Sequence, residues 1–221
     1  DPLGAWDWIT VAWMNPEGEY VDRNLQYDLF YGALDVVLTE RKEYQVAADL
    51  VRQEYEPELK DLLAELIAKR VVSDNPSKAM ERIAFDSDDE IDQAILDAIV
   101  DEWSQRDSLG SMDWALANEA QVSTFGVQKV AKQLLLNDAE QALASFHAEL
   151  GNDAKKDATA AEAGRLLARR DPDIAVEWLN VIASEPRKQR AVRDALYELG
   201  HDDFGASVGL LDGVYEVRSA A

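Results

Sequence analysis

Acidic residues close successive helical patterns at Glu43, Asp74, Asp107, Asp138, Asp171 and Asp202, with separations of 31, 33, 31, 33 and 31 residues. A period near 32 is the length of two short helices and two turns, and self-similarity of that kind marks a repeat architecture. A lone helical hairpin cannot bury its own apolar face, so such units must stack on one another to form a core. The repeat therefore predicts an all-α chain, a right-handed α-solenoid of antiparallel helix pairs.

Each unit carries the same internal order. Asp171 precedes Pro172 as an expected helix cap with proline in the first turn, where its missing N–H is harmless. Ile174, Ala175, Trp178, Leu179 and Ile182 follow on one face. A second helix carries Ala191, Val192, Ala195, Leu196 and Leu199, and Gly200 stands where a helix-ending glycine belongs. The unit from Asp138 repeats this with Ala142, Leu143, Phe146 and Leu150, then Ala160, Ala163 and Leu167. In the Asp107 unit, Ser108-Leu109-Gly110 is expected to delay the first helix until about Met112. Ala47, Ala79, Ala142 and Ala175 recur at one register and are expected where first helices pack closely. Strand signals are confined to Ile9-Thr10-Val11-Ala12 and Tyr215-Glu216-Val217, neither with a hairpin partner. The expected organisation is one continuous domain: a tryptophan-rich cap and helix pair over 1–42, five hairpins over 43–212, and a tail over 213–221.

The Asp171-Pro172 pair followed six residues later by Trp178 resembles the junction between tetratricopeptide repeats. The family's Leu-Gly pair and tyrosine would fall on Val181, Ile182 and Glu185, and Asn75-Pro76 is followed by Arg82 in place of the tryptophan. The resemblance, tetratricopeptide-like or HEAT-like, implies an α-solenoid that binds peptides or proteins, and it carries over no ligand-binding residues.

Charge narrows the function further. Forty-four acidic residues face 22 basic ones, a net charge of −22. That balance argues against a nucleic-acid backbone or an anionic membrane as direct partner, because both require Lys and Arg for neutralisation. No run approaches the roughly 18 apolar residues of a transmembrane helix. There is no cysteine, hence no disulfide framework, thiolate metal site or cysteine nucleophile. A cysteine-free chain suits an oxidising compartment, so export from a bacterial cell is favoured over a cytoplasmic location.

Two patterns invite chemistry. Gly205-Ala206-Ser207-Val208-Gly209 has the letters of a nucleophile elbow, which needs a strand before the serine and a histidine after it; His147 and His201 both precede it. Asp86, Asp88, Glu90, Asp92 and Asp97 match the acidic positions of a calcium loop, but Ile91 stands where the loop needs glycine. An acid-rich first helical turn, favoured by the helix dipole, accounts for them without a metal. No enzyme, cofactor or metal is expected.

Two features point to a partner. Trp6, Trp8 and Trp13 are half of the six tryptophans, placed either to cover an open end of the solenoid or to anchor a partner. Residues 1–150 hold 31 acids and 12 bases, whereas 151–221 hold 13 and 10, including Arg165, Arg169, Arg170, Arg187, Lys188, Arg190 and Arg193. The acidic stretch would steer a basic partner. The leading expectation is a non-enzymatic protein- or peptide-binding scaffold, with Gln141, Ser145, Glu177 and Asn180 on its binding surface. The alternatives are an acidic mimic of nucleic acid and then a helical-repeat enzyme.

Overall fold

The computed structural model describes residues 4, 6, 23–53, 57–86, 89–200 and 204–215. Among them every regular element is helical. No described helix is long and apolar enough to cross a membrane. Trp8, Trp13, Asp88, His201, Asp202 and both strand candidates, apart from Tyr215, lie outside the described residues. The chain divides into two compact units, Asp1–Trp103 and Ser104–Ala221.

The first unit contains α1 (Arg23–Val36), a π-helical turn Val37–Arg41, α2 (Tyr44–Gln53), α3 (Pro57–Asp74), α4 (Pro76–Met80) and most of α5 (Glu90–Arg106). α3 packs against α1, α2, α4 and the π turn. Its core is formed by Leu34 and Leu38, Ala47 and Val51, Leu59, Leu63 and Ile67, all buried. On each helix they recur at four-residue intervals, the spacing of one helical face. Trp6 is only 2% exposed, and its ring meets Phe30 edge-on at 4.6 Å between centroids, a favoured aromatic geometry. Lys42 ends the π turn in the left-handed region (φ 53°), donating its N–H to the Val37 carbonyl.

The second unit contains α6 (Ser108–Ala117), α7 (Thr124–Leu136), α8 (Glu140–Glu149), α9 (Asp153–Leu167), α10 (Pro172–Asn180), α11 (Glu185–Leu199) and α12 (Phe204–Tyr215). Every helix packs on the next one in sequence, and α6 on α8, α7 on α9, α9 on α11 and α10 on α12. Val127, Val130, Leu134, Leu143, Phe146, Ala160, Ala163, Leu179 and Ala195 are enclosed between them. Gly164 is required by one of these contacts: a Cβ there would lie 2.7 Å from the Leu179 side chain, well inside van der Waals contact, so α9 and α10 approach more closely than alanine allows.

The caps explain where helices begin. Asp107 accepts the Gly110 N–H at 2.9 Å, Asn152 the Lys155 N–H at 3.2 Å and Asp171 the Ile174 N–H at 3.2 Å. Asp107 also corrects one expectation. α6 starts at Ser108 rather than near Met112, because Gly110 leaves room for the capping carboxylate where a Cβ would collide with it. Asp74 and Asp138 cap nothing. Asn75, with an extended backbone, caps α4, while Asp138 is left-handed (φ 54°) and Ala139 occupies the cap of α8 without a side-chain bond. Ala47, Ala79 and Ala175 are buried, but Ala142 is only half-buried and the larger Leu143 fills the interior beside it. Gly200 ends α11 at φ 76°, a conformation that suits glycine.

Candidate functional site

Lys42, Tyr44, Asp74, Asn75, Lys78, Ala79 and Arg82 line an open cleft of about 250 Å³ in the first unit. Three elements build it. The π turn delivers Lys42, the start of α2 delivers Tyr44, and the segment from the end of α3 through α4 to the turn after it supplies the rest. Tyr44 is 2% exposed, yet its hydroxyl donates to the Asp74 carboxylate, so the buried polar group is satisfied. Lys42 Nζ lies 3.0 Å from the same carboxylate. Burial, reinforced by the bond to the Asp74 anion, pushes the Tyr44 phenol up to about 12. The hydroxyl of Tyr44, followed by Lys42, holds the Asp74 carboxyl below its ordinary range. Asp74 is therefore a fixed anion that orients Lys42 and Tyr44, while Lys78 and Arg82 stand beside it, exposed.

The partner-surface residues read from the sequence divide into three groups. Gln141 and Ser145 on α8 and Glu177 on α10 are exposed. Asn180 is engaged internally: it accepts from the buried Lys188 Nζ at 2.7 Å and donates to the Gly213 carbonyl at 3.3 Å, tying α10 to α11 and α12. Trp6 is enclosed against Phe30, and Trp8 and Trp13 fall outside the described residues.

The basic region of the second unit is largely neutralised. Arg165 joins Glu162 and Glu198, and these bonds raise its already high pKa further. Arg170 meets Asp138 at 2.7 Å, Arg187 meets Asp157 at 3.5 Å, and Arg190 and Arg193 both contact Asp194.

The other motifs resolve into structure. Ser207 lies inside α12, with helix on both sides, so the strand-to-helix elbow is absent there. Asp92 is buried and grips Arg52, and Asp89 accepts the Ile91 and Asp92 N–H groups at 2.8 and 3.1 Å. Among the described residues no group of three or more acidic or histidine side chains is placed to hold a metal ion.

His147 is half-buried on α8, edge-on to Trp178 of α10 with 5.2 Å between ring centroids. Burial, with help from the Lys156 charge and opposed by Asp157, lowers its pKa from the ordinary 6.5. The unfolded chain therefore holds more protons between the folded pKa and 6.5. Its contribution to stability is complete above that value and is lost as pH falls through the folded pKa. A proton NMR titration is expected to place the imidazole below 6.5, and Trp178→Ala to move it back up; an unshifted imidazole would contradict the burial.

Sequence reasoning passed over the cleft. Its one local signal is the Lys78–Arg82 pair, four residues apart behind the Asn75-Pro76 cap in an acidic stretch. No protein-family model, curated protein or solved structure matches the chain.

Proposed function

We propose that the chain is a non-enzymatic protein- or peptide-binding module built as a right-handed α-solenoid of helix pairs. The observation that carries this reading is the regularity of the first helices. α2, α4, α6, α8, α10 and α12 begin at Tyr44, Pro76, Ser108, Glu140, Pro172 and Phe204, each 32 residues after the last. The fourth residue of the first five, Ala47, Ala79, Ser111, Leu143 and Ala175, is buried in every case. Packing of each helix on its two successors in the second unit supports the same reading, since nearest-neighbour stacking defines such arrays. Stacked first helices leave a row of polar side chains facing outward, and Gln141, Ser145 and Glu177 supply it on α8 and α10. A segment lying across that row is the partner, and the acidic surface favours a basic ligand.

The test is capture from extract of the source cells on immobilised chain, at low and high ionic strength, beside a Gln141→Arg/Ser145→Arg/Glu177→Arg variant. A protein retained by the unaltered chain under both conditions and released by the variant supports the reading. Equal retention by both chains, or none by either, removes it.

A further inference from the structure

Residues 1–103 hold 25 acids and nine bases, and three of those nine bases, Lys42, Lys78 and Arg82, line the one cleft described above. A strongly acidic unit has no shortage of carboxylates to disperse its cations. Elsewhere in this unit Arg52, Lys69 and Arg70 are each paired, with Asp92, Glu65 and Asp35. In the cleft a single carboxylate, Asp74, serves three cations, and Lys42 and the Tyr44 hydroxyl already occupy it. Lys78 and Arg82 make no ion pair among the described residues. Glu43, beside Lys42 in the chain, and Glu81, beside Arg82, are exposed and do not line the cleft.

We propose that this cleft binds an oxyanion, a carboxylate or phosphate group carried by a ligand. Arg82 offers a planar fork of donors suited to two oxygens at once, and Lys78 adds a mobile point charge. Lys42 is held at the rim by its left-handed backbone and its bridge to Asp74, so it meets the anion already oriented. The Tyr44–Asp74 bond performs no binding itself; it fixes the floor and keeps Asp74 turned toward Lys42. A lining of three positive charges and one negative leaves an excess of two, sufficient to neutralise one dianion or two carboxylates. The cleft volume of about 250 Å³ exceeds that of a bare oxyanion, so the group enters attached to a further part of its ligand.

The experiment is an amide NMR titration of the full chain with inorganic phosphate and, separately, with glutarate, each at constant ionic strength against a sodium chloride control. Saturable shifts are expected at residues 42–44 and 74–82. Replacing both exposed cations, Lys78→Gln with Arg82→Gln, is expected to weaken binding by about tenfold or more. Lys69→Gln, whose partner is Glu65 on the same helix, leaves it unchanged. Saturation with phosphate alone supports the site and assigns it to phosphate esters. Saturation with glutarate alone supports it and assigns carboxylates. Shifts no different from the chloride control, or full affinity in the double variant with an intact amide spectrum, overturn it.

Discussion

Replacing Arg52 with methionine is expected to cost the first unit about 3–5 kcal/mol, the usual penalty for leaving one member of a buried ion pair alone. Asp92 is 1% exposed, and Arg52 approaches it through Nε at 2.7 Å and Nη2 at 2.9 Å. The same guanidinium donates to the Ala84 carbonyl at 2.8 Å, and the Asp86 N–H donates to Asp92 at 2.7 Å. One side chain thus joins α2 to α5 and to the connection between α4 and α5. Methionine keeps the aliphatic stem but strands the carboxylate, which is why the loss is large. Hydrogen exchange of α2 and α5 amides reads the local stability without assuming that the two units unfold together. Adding Asp92→Leu removes the stranded charge and is expected to recover about half of the loss. A loss below about 1 kcal/mol in the single variant would mean that water, rather than Arg52, satisfies Asp92.

Asp157→Ala is expected to destabilise the start of α11 by about 2–4 kcal/mol, because it orphans two backbone donors at once. Ser184 precedes α11 without capping it through its own side chain. Asp157, on α9 and buried, instead accepts the Ala183 N–H at 2.9 Å and the Ser184 N–H at 3.2 Å. Asp157→Asn retains one acceptor oxygen and loses the charge, so its effect falls between the parent and the alanine variant. Exchange rates of the Ala183 and Ser184 amides report the difference. Equal losses for asparagine and alanine would show that charge, not the acceptor atoms, holds the turn.

Much of the architecture was legible because its determinants are local. A capping aspartate with proline behind it, as at Asp171, acts within four residues. Buried stripes such as Ala47, Leu50 and Val51 follow from helical spacing alone. Where sequence reading failed, the deciding partner was distant or conformational. Asp74 resembles a cap in sequence, but Tyr44, thirty residues earlier, claims its carboxylate. Asp92 resembles part of a calcium loop until Arg52 is found forty residues away. The π turn Val37–Arg41 is made of ordinary residues, and no side-chain pattern announces that Lys42 turns left-handed after it. The cleft depends on both, so its cations read in sequence as unrelated surface charges. Gln141, Ser145 and Glu177 were placed on outward faces by the same stripe logic that located the core. The same logic puts Asn180 there as well, but its bonds reach Lys188 and Gly213 on two other helices.

Carboxylates that accept backbone N–H groups across hairpins have a further consequence. Glu119, between α6 and α7, accepts the Gly151 and Asn152 N–H groups at 3.0 and 2.9 Å, as Asp157 does for Ala183 and Ser184. In each case the acceptor belongs to one element and the donors to the turn ahead of a later helix. Neither can open without releasing the other. Turns are ordinarily the first places where a helical array breathes, with opening energies near zero. Here the turns act as clasps, and the energy needed to open them is set by the helices on both sides. Helices of the second unit joined by such a clasp are therefore expected to loosen together, with the Gly151, Asn152, Ala183 and Ser184 amides exchanging at rates set by the helices on both sides rather than at those of free turns.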